Sequence, residues 1–125
     1  MVKRKLTVLT DVSLITCVVQ RGLADTVVNS LTEIGIQGAT VHSAMGTGVR
    51  ERLGILGVAV DVERDVISVM VSRDEVNRIF ERMYLAARLD TPGMGYIYAT
   101  PLMQAATYVP PHIIERMNQE HEFGG

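Results

Sequence analysis

The strongest constraint on this chain is a doubled pattern, a strand, a helix and a strand given twice in succession. From Leu14 the run Leu-Ile-Thr-Cys-Val-Val19 mixes β-branched and apolar residues and reads as a strand. Gln20-Arg21-Gly22 breaks it. Leu23, Val27, Val28, Leu31 and Ile34 then recur at helical spacing, and Gly35 falls where a helix-terminating glycine belongs. Ala39 to Met45 is strand-like again. The second half repeats the order, with a strand over Asp65 to Val71 and a helix marked by Val76, Ile79, Phe80, Met83 and Ala87. Between them, Ser72-Arg-Asp-Glu75 spells a capping box, in which Ser72 and Glu75 satisfy each other's backbone N–H. Asp90 to Gly95 reads as a turn and Tyr96 to Thr100 as a short strand. Two β-α-β units predict an α+β, ferredoxin-like double βαβ sandwich: a four-stranded antiparallel sheet with two helices on one face.

That arrangement leaves one sheet face without helices, and a solvated face is mostly polar. Here it is not. Ile67, Val69 and Val71 fall on one side of their strand, and Val66, Ser68 and Met70 on the other. The strand before it sets Ile15, Cys17 and Val19 against Leu14, Thr16 and Val18. Both faces read as buried, so the second is expected to pack on further copies of the chain in a homo-oligomer. The N-terminal arm or the tail after Pro101 is the alternative cover.

Composition narrows the function classes. A chain of 125 residues suits one domain, taken as residues 1–110 followed by a polar tail over 111–125. Twelve Lys and Arg against fourteen Asp and Glu give a formal charge of −2, which argues against a nucleic-acid partner held through phosphate neutralisation. The lone cysteine, Cys17, has no internal disulfide partner. The basic start Met1-Val-Lys-Arg-Lys5 is followed by a stretch broken at Asp11, unlike a signal peptide, and no apolar run nears the ~18 residues of a membrane span. A cytoplasmic protein is expected.

Between the halves, Gly46-Thr47-Gly48-Val-Arg50-Glu51-Arg52-Leu53-Gly54-Ile-Leu-Gly57 holds four glycines and two arginines. Bare backbone and forked guanidinium groups suit an anion cradle, and a flexible hairpin connection accounts for the segment equally well. The glycine spacing is not that of a dinucleotide fingerprint, and the Gly-Lys-Ser/Thr ending of a P-loop is missing. Cys17 reads as a small buried hydrophobe, and His42, His112 and His121 show no metal-ligand spacing. Met45, Met70 and Met83 read as core or interface filler, and the acids Asp61, Glu63, Asp65, Asp74 and Glu75 as charges near a strand edge and a helix start. No acid-base pair stands out, so the chain is not expected to be an enzyme.

Three segments, Glu33-Ile-Gly-Ile-Gln-Gly38-Ala-Thr40-Val, Gly46-Thr-Gly48 and Ala86-Ala-Arg88-Leu-Asp-Thr-Pro-Gly93-Met-Gly95-Tyr-Ile-Tyr98, together resemble the PII signal-transduction family over about Leu14 to Pro110. The second is similar to the start of that family's T-loop (about 46–57), the third to its B-loop (about 90–96). The resemblance implies a homotrimer with nucleotide sites in clefts between subunits, and a T-loop that responds to the ligand and docks on a target protein, plausibly a membrane transporter. It implies effector contacts at Thr40, Gly46, Thr47, Gly48, Arg50, Ser68, Arg88, Gly93, Met94 and Gly95. The partner-binding residues would be Arg50, Glu51, Arg52 and Leu53.

The chain departs from the family at charged positions. Tyr96 stands at the B-loop lysine and Met94 at its aspartate. Thr107 and Val109 lie near where paired basic residues belong, and Arg50 replaces the glutamine that helps bind 2-oxoglutarate. The loop is shorter and lacks the tyrosine that some members uridylylate. Each charge-assisted hydrogen bond lost to a triphosphate removes about 1.5–3 kcal/mol. The expected effector is therefore a small anion, with ATP, ADP or AMP as candidates and Arg50, Arg52 and Arg88 supplying charge. The alternative is a CutA-like trimer of the same fold that binds metal or another small molecule, with His42, Cys17 and the tail histidines as ligands.

Overall fold

Alternating apolar residues and two amphipathic stretches fold into the layers their spacing requires. The computed structural model describes residues 6–47 and 61–113, with backbone alone at residues 46, 47, 61 and 62. The elements run β1 (Val8–Leu9), β2 (Val12–Gln20), α1 (Ala24–Glu33), β3 (Thr40–Thr47), β4 (Asp61–Ser72), a 3-10 turn (Arg73–Glu75), α2 (Val76–Ala86), β5 (Gly95–Leu102) and β6 (Ala105–Ala106). Asp11–Leu102 forms one unit, carrying the four-stranded sheet. Within the other, β1 and β6 pair antiparallel, Val8 opposite Ala106.

In the sheet the order is β3-β4-β2-β5 and every neighbour is antiparallel. Each helix connects two parallel strands separated by one antiparallel strand, which is the doubled unit expected from the sequence. Ile15, Cys17 and Val19 of β2 and Ile67, Val69 and Val71 of β4 share one face. They enclose the core with Ala24, Val27 and Leu31 of α1, with Ile79 and Met83 of α2, and with Ala87 just past it. Full burial of each large aliphatic side chain contributes roughly 1.5–3 kcal/mol, and Ile15, Leu31, Ile67 and Ile79 are all fully buried. Of the methionines read as filler, Met83 is core, whereas Met45 and Met70 are exposed.

Both helices stop in the same way. Past α1, Ile36 N–H donates to the Leu31 carbonyl (2.9 Å) and Gly35 N–H to that of Thr32 (3.0 Å), with Gly35 at φ +82°. Past α2, Leu89 N–H donates to Tyr84 (3.1 Å) and Arg88 N–H to Leu85 (3.2 Å). This paired pattern places one left-handed residue after the helix, usually glycine, but in α2 that residue is Arg88 at φ +54°.

The helix starts differ from expectation. Ser72 makes no side-chain capping bond, and the chain enters α2 through the 3-10 turn. The Glu75 carboxylate accepts instead from Arg78 Nε at 2.7 Å, so the capping box does not form. The first turn of α1 has no cap of its own either. Asp65 of β4 supplies one, its carboxylate accepting from Gly22 N–H (2.9 Å) and Ala24 N–H (3.4 Å).

Candidate effector site

Antiparallel pairing brings the two glycine-bearing loops to one end of the sheet. Val19 lies opposite both Gly95 and Asp65, so the start of β5, the end of β2 and the start of β4 share that end. Met45 lies opposite Glu63 and Thr47 opposite Asp61, which puts the end of β3 there as well. The chain between β3 and β4, with Gly48, Arg50, Glu51, Arg52 and Leu53, lies outside the described residues.

The α2–β5 connection is built by its own sequence. Met94 N–H donates to the Thr91 carbonyl at 3.3 Å, with Pro92 and Gly93 (φ +81°) between them. Proline followed by a positive-φ glycine is the type II turn pattern. Gln20, at the end of β2, ties this turn to the sheet: its N–H donates to the Met94 carbonyl (3.3 Å) and its Nε2 to the Gly93 carbonyl (3.2 Å). Gly95, at φ +133°, lies so close to β2 that a Cβ there would run into the Val18 carbonyl oxygen. Turn geometry and close approach thus account for both glycines.

Among the described residues at this end, two arginines are engaged within the subunit. Arg21 pairs with Glu63 at 2.8 Å, and Arg64 is engaged. Elsewhere Arg73 pairs with Asp11, Arg78 with Glu75 and Arg82 with Glu33. Arg88 is exposed and is the one arginine among the described residues whose side chain makes neither an ion pair nor a hydrogen bond.

Thr40 and Ser68 are brought together as cross-strand partners, but not at the loop end. They lie on the helix-free face, three strand positions (about 10 Å) from the Val19–Asp65 pair. Thr16 and Tyr98 continue the row, which crosses all four strands. The neighbouring row is His42, Val66, Val18 and Tyr96, and the rings of Tyr96 and Tyr98 stack with centroids 6.3 Å apart. This face is half covered: Val12, Thr16 and Val66 are buried, whereas Met70, Tyr96 and Tyr98 are exposed.

A joint Cys17–His42 metal site is not formed, because Cys17 lies in the helix-side core and His42 is exposed on the opposite face. Among the described residues no group of three or more His, Cys, Asp or Glu is placed to hold a metal ion. Burial pushes the Cys17 thiol up to about 11. At pH 8 only about one thiol in a thousand is then thiolate, the reactive form. Ellman's reagent is expected to leave Cys17 unmodified in native protein and to titrate one thiol per chain in urea. Rapid native reaction would contradict the core placement.

Residues 12–109 match the family model described as "Nitrogen regulatory protein P-II". The chain belongs to the P-II family. A solved structure of Arabidopsis thaliana PII bound to citrate shares the fold, with a TM-score of 0.61 and 22% identity. The similarity covers 74% of this chain and 78% of that one. No curated protein matches the chain. P-II proteins are regulators rather than enzymes. Among the described residues no helix is long and apolar enough to cross a membrane.

Residue reasoning missed Gln20 and the role of Asp65. Both act on backbone atoms remote in sequence, and neither leaves a local motif.

Proposed function

We propose that this P-II protein is a signalling regulator that binds a small anionic effector in clefts between the subunits of a homotrimer. Effector occupancy orders the loop after β3, and that loop, through Arg50, Glu51, Arg52 and Leu53, controls a target protein, with a membrane transporter as the candidate. The ligand biases the loop only through its different affinities for the loop's two states. Thr40 and Ser68 would contact the effector from the sheet. The loop backbone at Gly46, Thr47, Gly48, Gly93, Met94 and Gly95 would do so from the sheet's end, and Arg50 and Arg88 would supply charge.

One observation carries the reading: the family match spans β2 to the end of β5, including both strands that flank the loop and the connection that resembles the B-loop. The helix-free face, with exposed Met70, Tyr96 and Tyr98 beside buried Val12 and Val66, suits burial against other subunits. Citrate in the Arabidopsis protein supports a small polyanion as effector.

The test is subunit mass by light scattering, followed by calorimetric titration with AMP, ADP, ATP and citrate, each with and without Mg²⁺. Three times the 13.7 kDa chain mass and one site per subunit are expected. A monomer, or a trimer that takes up none of the four, would remove the effector reading.

A further inference from the structure

We infer that the β1–β6 ribbon is a contact element between subunits, and that it docks on the helix-free sheet face of a second copy of this chain. The inference rests on the trimer of the proposed function and names a surface that builds it; P-II proteins form trimers. The family match starts at residue 12, so β1 lies ahead of the matched region. The ribbon leaves its apolar groups open. Of the exposed large hydrophobic side chains among the described residues, the three most exposed are Met103 (91%), Tyr108 (81%) and Leu6 (76%), and all three belong to the small unit. Val8 lies opposite Ala106, and two residues further along the same alignment Leu6 stands opposite Tyr108 on that face. A ribbon of two short strands is marginal in water by itself and needs a further surface to rest on. Neither of its edges is protected by charge, because residues 6–10 and 103–108 contain no charged side chain.

A second copy supplies a surface of the same chemistry. Met70, Tyr96 and Tyr98 are exposed on the helix-free face, where the two tyrosine rings stack. The edge strand that carries the tyrosines, Gly95–Leu102, has no charged residue, and neither has the opposite edge strand, Thr40–Thr47. Aromatic residues and methionine are the side chains that the buried centre of an interface favours. Ribbon and sheet face are different surfaces, so the contact is heterologous. Each copy gives its ribbon to one neighbour and receives the ribbon of the other, and a closed trimer uses every ribbon and every face.

The experiment measures light scattering on dilution for wild type, Leu6→Asp, Tyr108→Asp and Leu85→Asp. Leu85 is exposed on α2, outside both surfaces, and serves as the control. Leu6→Asp and Tyr108→Asp are expected to raise the concentration at which the trimer dissociates by about tenfold or more, and Leu85→Asp to leave it unchanged. In the full chain, Leu6→Cys combined with Tyr98→Cys is then treated with a short bis-maleimide, while the buried Cys17 stays unreacted. Bands at multiples of the 13.7 kDa chain mass are expected from the double variant, and neither single variant is expected to give them. The ribbon contact is overturned, while the trimer stands, if both aspartate variants dissociate as wild type or as Leu85→Asp does. It is equally overturned if the double variant links only within one chain, links nothing, or links chains no better than the single variants. If wild type has the mass of one chain, both readings fall.

Discussion

Gly95→Ala is expected to lower the stability of the chain by about 3 kcal/mol or more, the range of strained-backbone and overpacking lesions. The glycine opens β5 at φ +133°, a conformation that L-residues rarely adopt. An added Cβ would enter the Val18 carbonyl oxygen and lie 3.0 Å from both the Val18 carbonyl carbon and the Val19 Cα. All three atoms are backbone of β2, which is paired on both sides, so relief requires breaking ladder bonds to β4 or β5. Gly93→Ala is the control. It too has a positive φ, +81°, but open space surrounds its missing Cβ, so it incurs only the left-handed penalty of roughly 1 kcal/mol. Urea denaturation of the two variants separates the effects. A Gly95→Ala midpoint equal to that of Gly93→Ala would mean that the close approach to β2 is not made in solution.

The contrast between these glycines shows what the sequence carried and what it did not. The family resemblance implies a ligand-facing loop at Gly93 and Gly95; within the subunit Gly93 completes a proline turn and Gly95 clears a neighbouring strand. The turn was legible from Thr-Pro-Gly-Met alone; the close approach was not, because Val18 is distant in the chain. The fold was legible for a general reason. Apolar periodicity fixes which face of each strand and helix is buried, and the doubled β-α-β order then leaves few topologies. Ile15, Cys17, Val19, Ile67, Val69 and Val71 fell on the helix side as their alternation required. Gly35 ended α1 as placed. What failed was local electrostatics. Asp-Val-Glu-Arg-Asp hid the first turns of β4, because charge at a hairpin base looks like loop. Glu75 had two competing partners, and Arg78 on its own helix took it from the Ser72 backbone. Thr40 and Ser68 pair in the sheet, but no residue pattern revealed that Thr16 and Tyr98 extend their row. Nor did any pattern mark Arg88 as the left-handed residue.

Asp65→Ala is expected to cost about 2 kcal/mol, twice the typical loss of a helix cap, because one carboxylate serves two backbone donors and the helix dipole together. The Gly22 and Ala24 N–H groups both point at the same carboxylate oxygen, at 2.9 and 3.4 Å. Leu23, at the cap position between them, contributes no side-chain acceptor. Alanine would leave the exposed Gly22 N–H to water and the part-buried Ala24 N–H to partial solvation. Asp65→Asn keeps an acceptor but removes the charge, so it is expected to retain about half of the stabilisation, since charge-assisted bonds are roughly twice as strong as neutral ones. Asp65 also lies opposite Val19 in β2 and Ser43 in β3, so its backbone holds the strand pairs beneath the loop end in register. The two contributions separate by hydrogen exchange. Loss of the cap accelerates exchange at the first turn of α1 and leaves the β2–β4 ladder protected. Equal acceleration in both would show that Asp65 supports the sheet rather than the helix. A stability within ~0.3 kcal/mol of wild type would show that water replaces the carboxylate at no cost, and that α1 needs no cap from β4.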